Sequence, residues 1–263
     1  MRKYAVIFRQ SILDSLAYGP VAFIWILVET VELIAPMVIW TASTPISGSF
    51  GGYSKIQIIF YYALASVIKG LTTWYIHFNI SHTVRSGDFS NYLTKPLSPL
   101  VNITLEEMGW KVIRFVVHLP LIIFIAFFLS TWLSSSAYYF NFQFLLSIIL
   151  GSAISLLISS CFGTLSFWLT DLGGLLSFYF FIQFLFGGEM APLSTYPLWF
   201  QHLANILPFR YLLSFPLEIF FGRLSPGLIL QGFFISFLWI TVLYSLNRFL
   251  WKIGLINFQA YGK

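Results

Sequence analysis

Five ionisable side chains stand inside long apolar runs of this sequence: Glu29, Glu32, Lys69, His77 and His118. Glu29 and Glu32 are three positions apart, which puts both carboxylates on one face of a helix. An ionisable group at membrane depth is costly, so each of these residues is a functional hypothesis by default. Glu29 and Glu32 either pair with Lys69, joining two helices, or line an aqueous path. A second charged set, Glu189, Arg210 and Glu218, lies among prolines and glycines. Mutual pairing is the expectation there, because unpaired buried charges are unfavourable. Other chemistries lack their patterns. There is no phosphate-binding P-loop and no His or Cys cluster spaced for a metal, so no catalytic or metal residue is assigned. Ser159, Ser160 and the single cysteine, Cys161, sit in an apolar run and read as helix-packing residues.

The elements that must position these groups follow from composition. Of 263 residues, 58% are hydrophobic, 20% aromatic and 9% charged, against about 25% charged in an average globular domain. So few charges cannot cover a water-soluble protein this size, which excludes a soluble enzyme, a nucleic-acid-binding domain and a disordered chain. A polytopic membrane protein fits, with lipid covering the apolar surface. The net charge of +5 is scattered without a basic cluster. It reads as the cytoplasmic Lys/Arg bias of membrane proteins rather than a nucleic-acid footprint.

Apolar runs long enough to span a bilayer cover residues 20–43, 56–80, 115–133, 142–169 and 227–251, with a shorter one at 175–187. They are continuous rather than alternating, which predicts helices over a barrel. The expected fold class is therefore an all-α integral membrane protein with six transmembrane helices, in a single transmembrane domain over 1–263. With the N-terminus inside, ten Lys and Arg residues fall on the cytoplasmic side and three outside. That asymmetry predicts that both termini are cytoplasmic.

Three polar or irregular segments remain. Residues 1–17 place Tyr4, Phe8, Ile12 and Leu16 on one face, with Lys3, Gln10 and Asp14 on another, a pattern for an interfacial helix. Residues 81–114 read as a cytoplasmic loop of about 30 residues, where a plain helix–helix turn has two to eight. Within it, Gly87 breaks the preceding helix and Asp88 caps a short helix from Phe89 to Leu93. Pro96 and Pro99 stop that helix. Exposed Phe89 and Leu93 would plug a groove on a soluble partner. Residues 188–226 hold five prolines (Pro192, Pro197, Pro208, Pro216 and Pro226) between short apolar pieces. The preceding span is too short to cross about 30 Å at 1.5 Å per residue, so a re-entrant outer hairpin is expected.

With these segments in place, the chain resembles the membrane subunit of type-2 ABC exporters, the ABC-2 permease family, in one bacterial branch. The stretch Lys3 to Tyr18 is similar to that branch's amphipathic opening helix. The stretch Gly87-Asp-Phe-Ser-Asn-Tyr-Leu-Thr-Lys-Pro-Leu97 is similar to its coupling loop, with Lys95 where Arg is commoner. Gly188, Pro192, Pro197, Leu207-Pro-Phe209, Pro216 and Gly222 follow its outer hairpin, and Trp251 to Gly262 its C-terminal segment. The resemblance implies a permease subunit that is not itself an enzyme. It implies a dimer with a second permease copy or a homologous permease, and cytosolic ABC ATP-binding subunits as partners. ATP and Mg would be held in those partners, with no cofactor bound by this chain. It implies coupling through Gly87, Asp88, Phe89, Leu93, Lys95, Pro96 and Leu97. The outer gate would comprise Gly188, Glu189, Pro192, Pro208, Arg210 and Glu218. The implied location is a bacterial inner membrane. An ion-coupled secondary carrier or channel using Glu29, Glu32 and Lys69 is the alternative reading.

Overall fold

The computed structural model describes residues 2–17, 19–45, 48–95, 97–132 and 140–258. Pro96 and the C-terminal stretch 259–263 lie outside the described residues. Helix α1 (Arg2–Ala17) leads into α2 (Gly19–Ser43), and a two-stranded hairpin, β1 (Ser49–Phe50) and β2 (Tyr53–Ser54), follows. Its turn requires Gly51 and Gly52, at φ +57° and +85°, a region L side chains avoid. Ser54 then caps α3 (Lys55–Thr72) in a capping box with Gln57. Next come α4 (Ile76–Ser86), α5 (Phe89–Leu93), α6 (Pro99–Trp132) and α7 (Phe142–Thr164). The chain ends with α8 (Gly173–Phe186), α9 (Leu198–Ile206), α10 (Ser214–Phe220) and α11 (Pro226–Asn257).

Among the described residues, five helical stretches are long and apolar enough to cross a membrane: Phe23–Ser43, Lys55–Ser86, Pro99–Ile125, Phe142–Phe167 and Pro226–Ile256. The chain is a multi-pass, all-α membrane protein. At 14 residues, α8 reaches about 21 Å, short of a bilayer core of about 30 Å. The Lys55–Ser86 stretch is the most enclosed. Tyr61, Ile58, Ile68 and Ile76 have no exposed surface at all. The α2, α6 and α11 stretches instead turn most of their apolar side chains outward, the pattern of helices that face lipid or another membrane subunit.

Two expectations change. The span at 56–80 is two helices, broken at Thr73, Trp74 and Tyr75. The segment 81–114 is mostly helix: α4 runs to Ser86 and α6 starts at Pro99, leaving a turn of 87–98 around α5. Pro99 begins α6 because its fixed φ and missing N–H suit a first helical position. Helix α1 forms, but its buried residues are Ser11 and Ser15, while Tyr4 and Leu16 stay exposed. Ser11 takes the backbone N–H of Gly109 and donates to the carbonyl of Glu106. Gly109 is needed there, since a Cβ would collide with Ser11.

Residues 188–222 fold onto α3 and α7, burying Tyr211, Leu212, Phe215, Leu217 and Ile219. Irregular backbone in an apolar setting must find donors, and aromatic side chains supply them. Tyr61 donates to the Gly188 carbonyl at 2.8 Å. Trp40 and Tyr62 both donate to that of Met190, at 2.7 and 2.9 Å. Trp239 donates to Ile206 at 2.7 Å.

Candidate transport cavity and coupling turn

The break in the α3–α4 span leaves backbone groups without helical partners near the middle of a 32-residue stretch, where no bulk water can satisfy them. Serines on α7 take the donors. Ser155 Oγ accepts from Trp74 N–H at 3.2 Å, Ser159 Oγ from His77 N–H at 3.1 Å, and Ser152 Oγ from the Trp74 indole at 2.8 Å. Lys111 takes the acceptors: its ammonium donates to the carbonyls of Leu71 at 2.7 Å and Thr73 at 2.8 Å, and lies 4.3 Å over the Trp74 ring. The break is therefore a bend held by side chains of α6 and α7.

Around this bend lies a cavity of about 960 Å³ walled by α2, α3, α4, α6 and α8. Four carboxylates line it, Glu29, Glu32, Glu107 and Glu189, with two cations, Lys69 and Arg114. Lys69 sits between two acids, 2.7 Å from Glu189 and 3.1 Å from Glu32. Gln183 Nε2 donates to the other Glu189 oxygen at 3.0 Å. Arg114 faces Glu29 at 3.6 Å and stacks 4.8 Å over Tyr75. Glu32 falls at the centre of α2, with its side chain 55% exposed. A half-exposed carboxylate at mid-span must face protein or water, not hydrocarbon.

The sequence expectation that Lys69 meets Glu32 is met, but Glu29 pairs with Arg114 instead. Glu189 does not join Arg210 and Glu218. Those two pair with each other, with Asn205 as a further Arg210 partner, while Glu189 reaches inward to Lys69. Gly188, at φ +89°, makes that inward turn possible. Within 188–222, Pro192 stands just before one 3₁₀ turn and Pro208 at the start of another. Sequence reasoning misses Glu107, Arg114, Tyr75 and Gln183 as cavity residues, the first two because it places them in a loop. The unbroken run Leu100–Met108 after Pro99 is the signal that α6 starts early.

The turn at 87–98 is anchored twice. Gly87, at φ +79°, ends α4. Phe89 is 0% exposed, so the exposed plug expected of it is corrected. Its ring packs edge-on to Phe167, Trp251 and Phe258 at 5.3, 5.9 and 5.3 Å, which ties α5 to the ends of α7 and α11. An apolar ring with three aromatic neighbours is more stable inside than in water. Glu106 makes the second anchor. It accepts from Tyr92 at 2.8 Å, Asn102 at 2.8 Å and Asn79 at 3.4 Å, with Lys95 at 3.7 Å. Asp88, Leu93 and Lys95 remain exposed, and Leu97 is half-buried.

A multi-pass helical bundle with a charged mid-membrane cavity and a rigidly anchored turn at one end defines a membrane transport protein. The chain belongs to the ABC-2 family transporter proteins, whose family pattern it matches over residues 26–262. It is thus a membrane subunit of an ABC transporter, a class that works with ATP-binding subunits and is not itself the enzyme. No curated protein matches the chain.

Proposed function

We propose that this chain is the permease subunit of an ATP-driven exporter in a bacterial inner membrane, with both termini cytoplasmic and α8 as the core of a sixth crossing. The observation that carries the reading is the mid-span cavity beside the bent α3–α4 helix, with Glu32 half open to its surroundings. A second permease copy facing α2 would enclose that opening and form the substrate path. Leu93, Lys95, Asp88 and Leu97 present the contact for a cytosolic ATP-binding subunit that holds ATP and Mg. Phe89 and Gly87 serve as the rigid mount behind that contact.

ATP-driven closure of the partner would push α5. Phe89 would pass the push to α7 and α11, and Glu106 would pass it to α4 and α6, whose Asn79 and Glu107 line the cavity. The outer segment, with Gly188, Glu189, Pro192, Pro208, Arg210 and Glu218, would gate the exit. Separating the Lys69–Glu189 pair would open the cavity outward. The test is reconstitution with a copurifying ATP-binding subunit. Cargo efflux that needs ATP and is lost in Leu93→Asp with the permease still folded supports the reading. Uphill transport by the chain alone would favour the ion-coupled carrier.

A further inference from the structure

We infer that the cavity binds an amphipathic organic ammonium ion that also carries a hydrogen-bond acceptor. The inference rests on the permease reading for its role as cargo, but not for the binding itself. Charge comes first. Four carboxylates face two wall cations, and the acids still outnumber the bases when Lys111 behind the wall is added. Lys69 is held by Glu32 and Glu189 together, and Arg114 Nη2 by Glu29. Each wall base therefore already faces an acid.

Open hydrogen-bonding capacity comes second. Two buried wall atoms have no protein partner: Gln183 Oε1 and Arg114 Nη1. The Glu189 carboxylate can only accept, so it fixes the Gln183 amide with nitrogen toward Glu189 and oxygen free. That oxygen wants an N–H donor. Arg114 Nη1 wants an acceptor, such as a hydroxyl or carbonyl. A ligand with an ammonium and a nearby oxygen answers both, and a bare hydrocarbon answers neither. Buried groups left unanswered are costly.

Shape comes third. Trp25, Phe78, Trp110, Phe180 and Phe184 line the cavity around the charged set. Aromatic faces attract cations when water is excluded. A cavity of about 960 Å³ lies in the range that holds a drug-sized molecule.

The probe is radiolabelled propranolol, a secondary ammonium with a naphthyl body and a hydroxyl. Binding is read on the full chain in lipid nanodiscs, with empty nanodiscs subtracted. The neutral naphthyloxy-propanediol and the anionic naphthoxylactate serve as competitors. Saturable propranolol binding, with both competitors weaker by roughly tenfold or more, is expected. Glu32→Gln, at a half-exposed site that does not threaten folding, is expected to weaken propranolol by roughly tenfold and to leave the diol unchanged. Equal binding of all three compounds, preference for the anion, or no effect of Glu32→Gln would overturn the inference. ATPase assays with the copurified partner separate the two readings. Saturable cation binding without ATP coupling leaves this inference standing and removes the exporter. ATP coupling without cation preference removes this inference alone.

Discussion

The Tyr92 hydroxyl donates to Glu106 Oε2 at 2.8 Å, joining the short helix of the 87–98 turn to α6. Burial, and then the Glu106 charge, raises the Tyr92 hydroxyl above its ordinary value, so it stays a neutral donor at physiological pH. The same carboxylate gathers Asn79, Asn102 and Lys95. One residue thus links α4, α5 and α6 next to the cavity wall at Glu107.

Removing that link is expected to separate ATP hydrolysis from transport. Glu106→Ala strips four groups of their shared acceptor, and a charged hydrogen bond is worth about 1.5–3 kcal/mol. Transport per ATP hydrolysed should fall by about tenfold or more, with the complex still assembled on size-exclusion chromatography. Tyr92→Phe should give a smaller loss of the same kind. Unchanged transport per ATP in both would show that the push travels only through Phe89.

Phe89 and Leu93 should fail in different ways. Phe89 is enclosed by Phe167, Trp251 and Phe258, so Phe89→Ala leaves a cavity and should cost about 3–5 kcal/mol of stability. Leu93 is 49% exposed, so Leu93→Asp should leave the melting temperature of the isolated permease almost unchanged while abolishing pull-down of the ATP-binding subunit. The pair of readouts distinguishes a mount from a contact.

Lys111 holds the carbonyls of Leu71 and Thr73 at the helix break. Lys111→Met keeps the stem and removes the donors. Leaving each carbonyl unsatisfied should cost about 1–3 kcal/mol. Thermal unfolding in nanodiscs should show the loss, and hydrogen exchange should rise first at Thr73–Tyr75. Exchange unchanged there would mean that water already supports the bend.

The sequence made the membrane class and most span positions legible, because about 20 apolar residues in a row admit few other structures. The turn Gly87–Leu93 was also legible, through a glycine C-cap and a following short helix. The start of α6 was not. Glu106, Glu107, Lys111 and Arg114 look like loop residues when charge alone is read, yet Glu106, Lys111 and Arg114 meet partners distant in sequence and Glu107 lines the cavity. The burial of Phe89 was hidden for the same reason, since its neighbours Phe167, Trp251 and Phe258 come from the far end of the chain. The break at Thr73–Tyr75 carries no proline or glycine, so no local signal marks it. What specifies it is Lys111 on α6 and the serines at 152, 155 and 159 on α7.

The Lys69–Glu189 pair offers the last discriminating experiment. Both side chains are buried, and the pair is closed by Gln183 on one side and Glu32 on the other. Removing one member of a buried pair leaves an uncompensated charge and typically costs about 3–5 kcal/mol, whereas replacing both with neutral groups is often tolerated. Lys69→Met should therefore lower the melting temperature strongly, and Lys69→Met combined with Glu189→Gln should restore most of it. If the pair is a gate that holds the outer segment against α3, the restored double variant should also leak. It should show ATP-independent cargo efflux down a gradient that the wild type does not. An ion-coupling role predicts the opposite sign, a double variant that is folded and sealed but unable to move cargo. Efflux from nucleotide-free proteoliposomes decides between the two, because the double variant and the wild type are compared at similar stability.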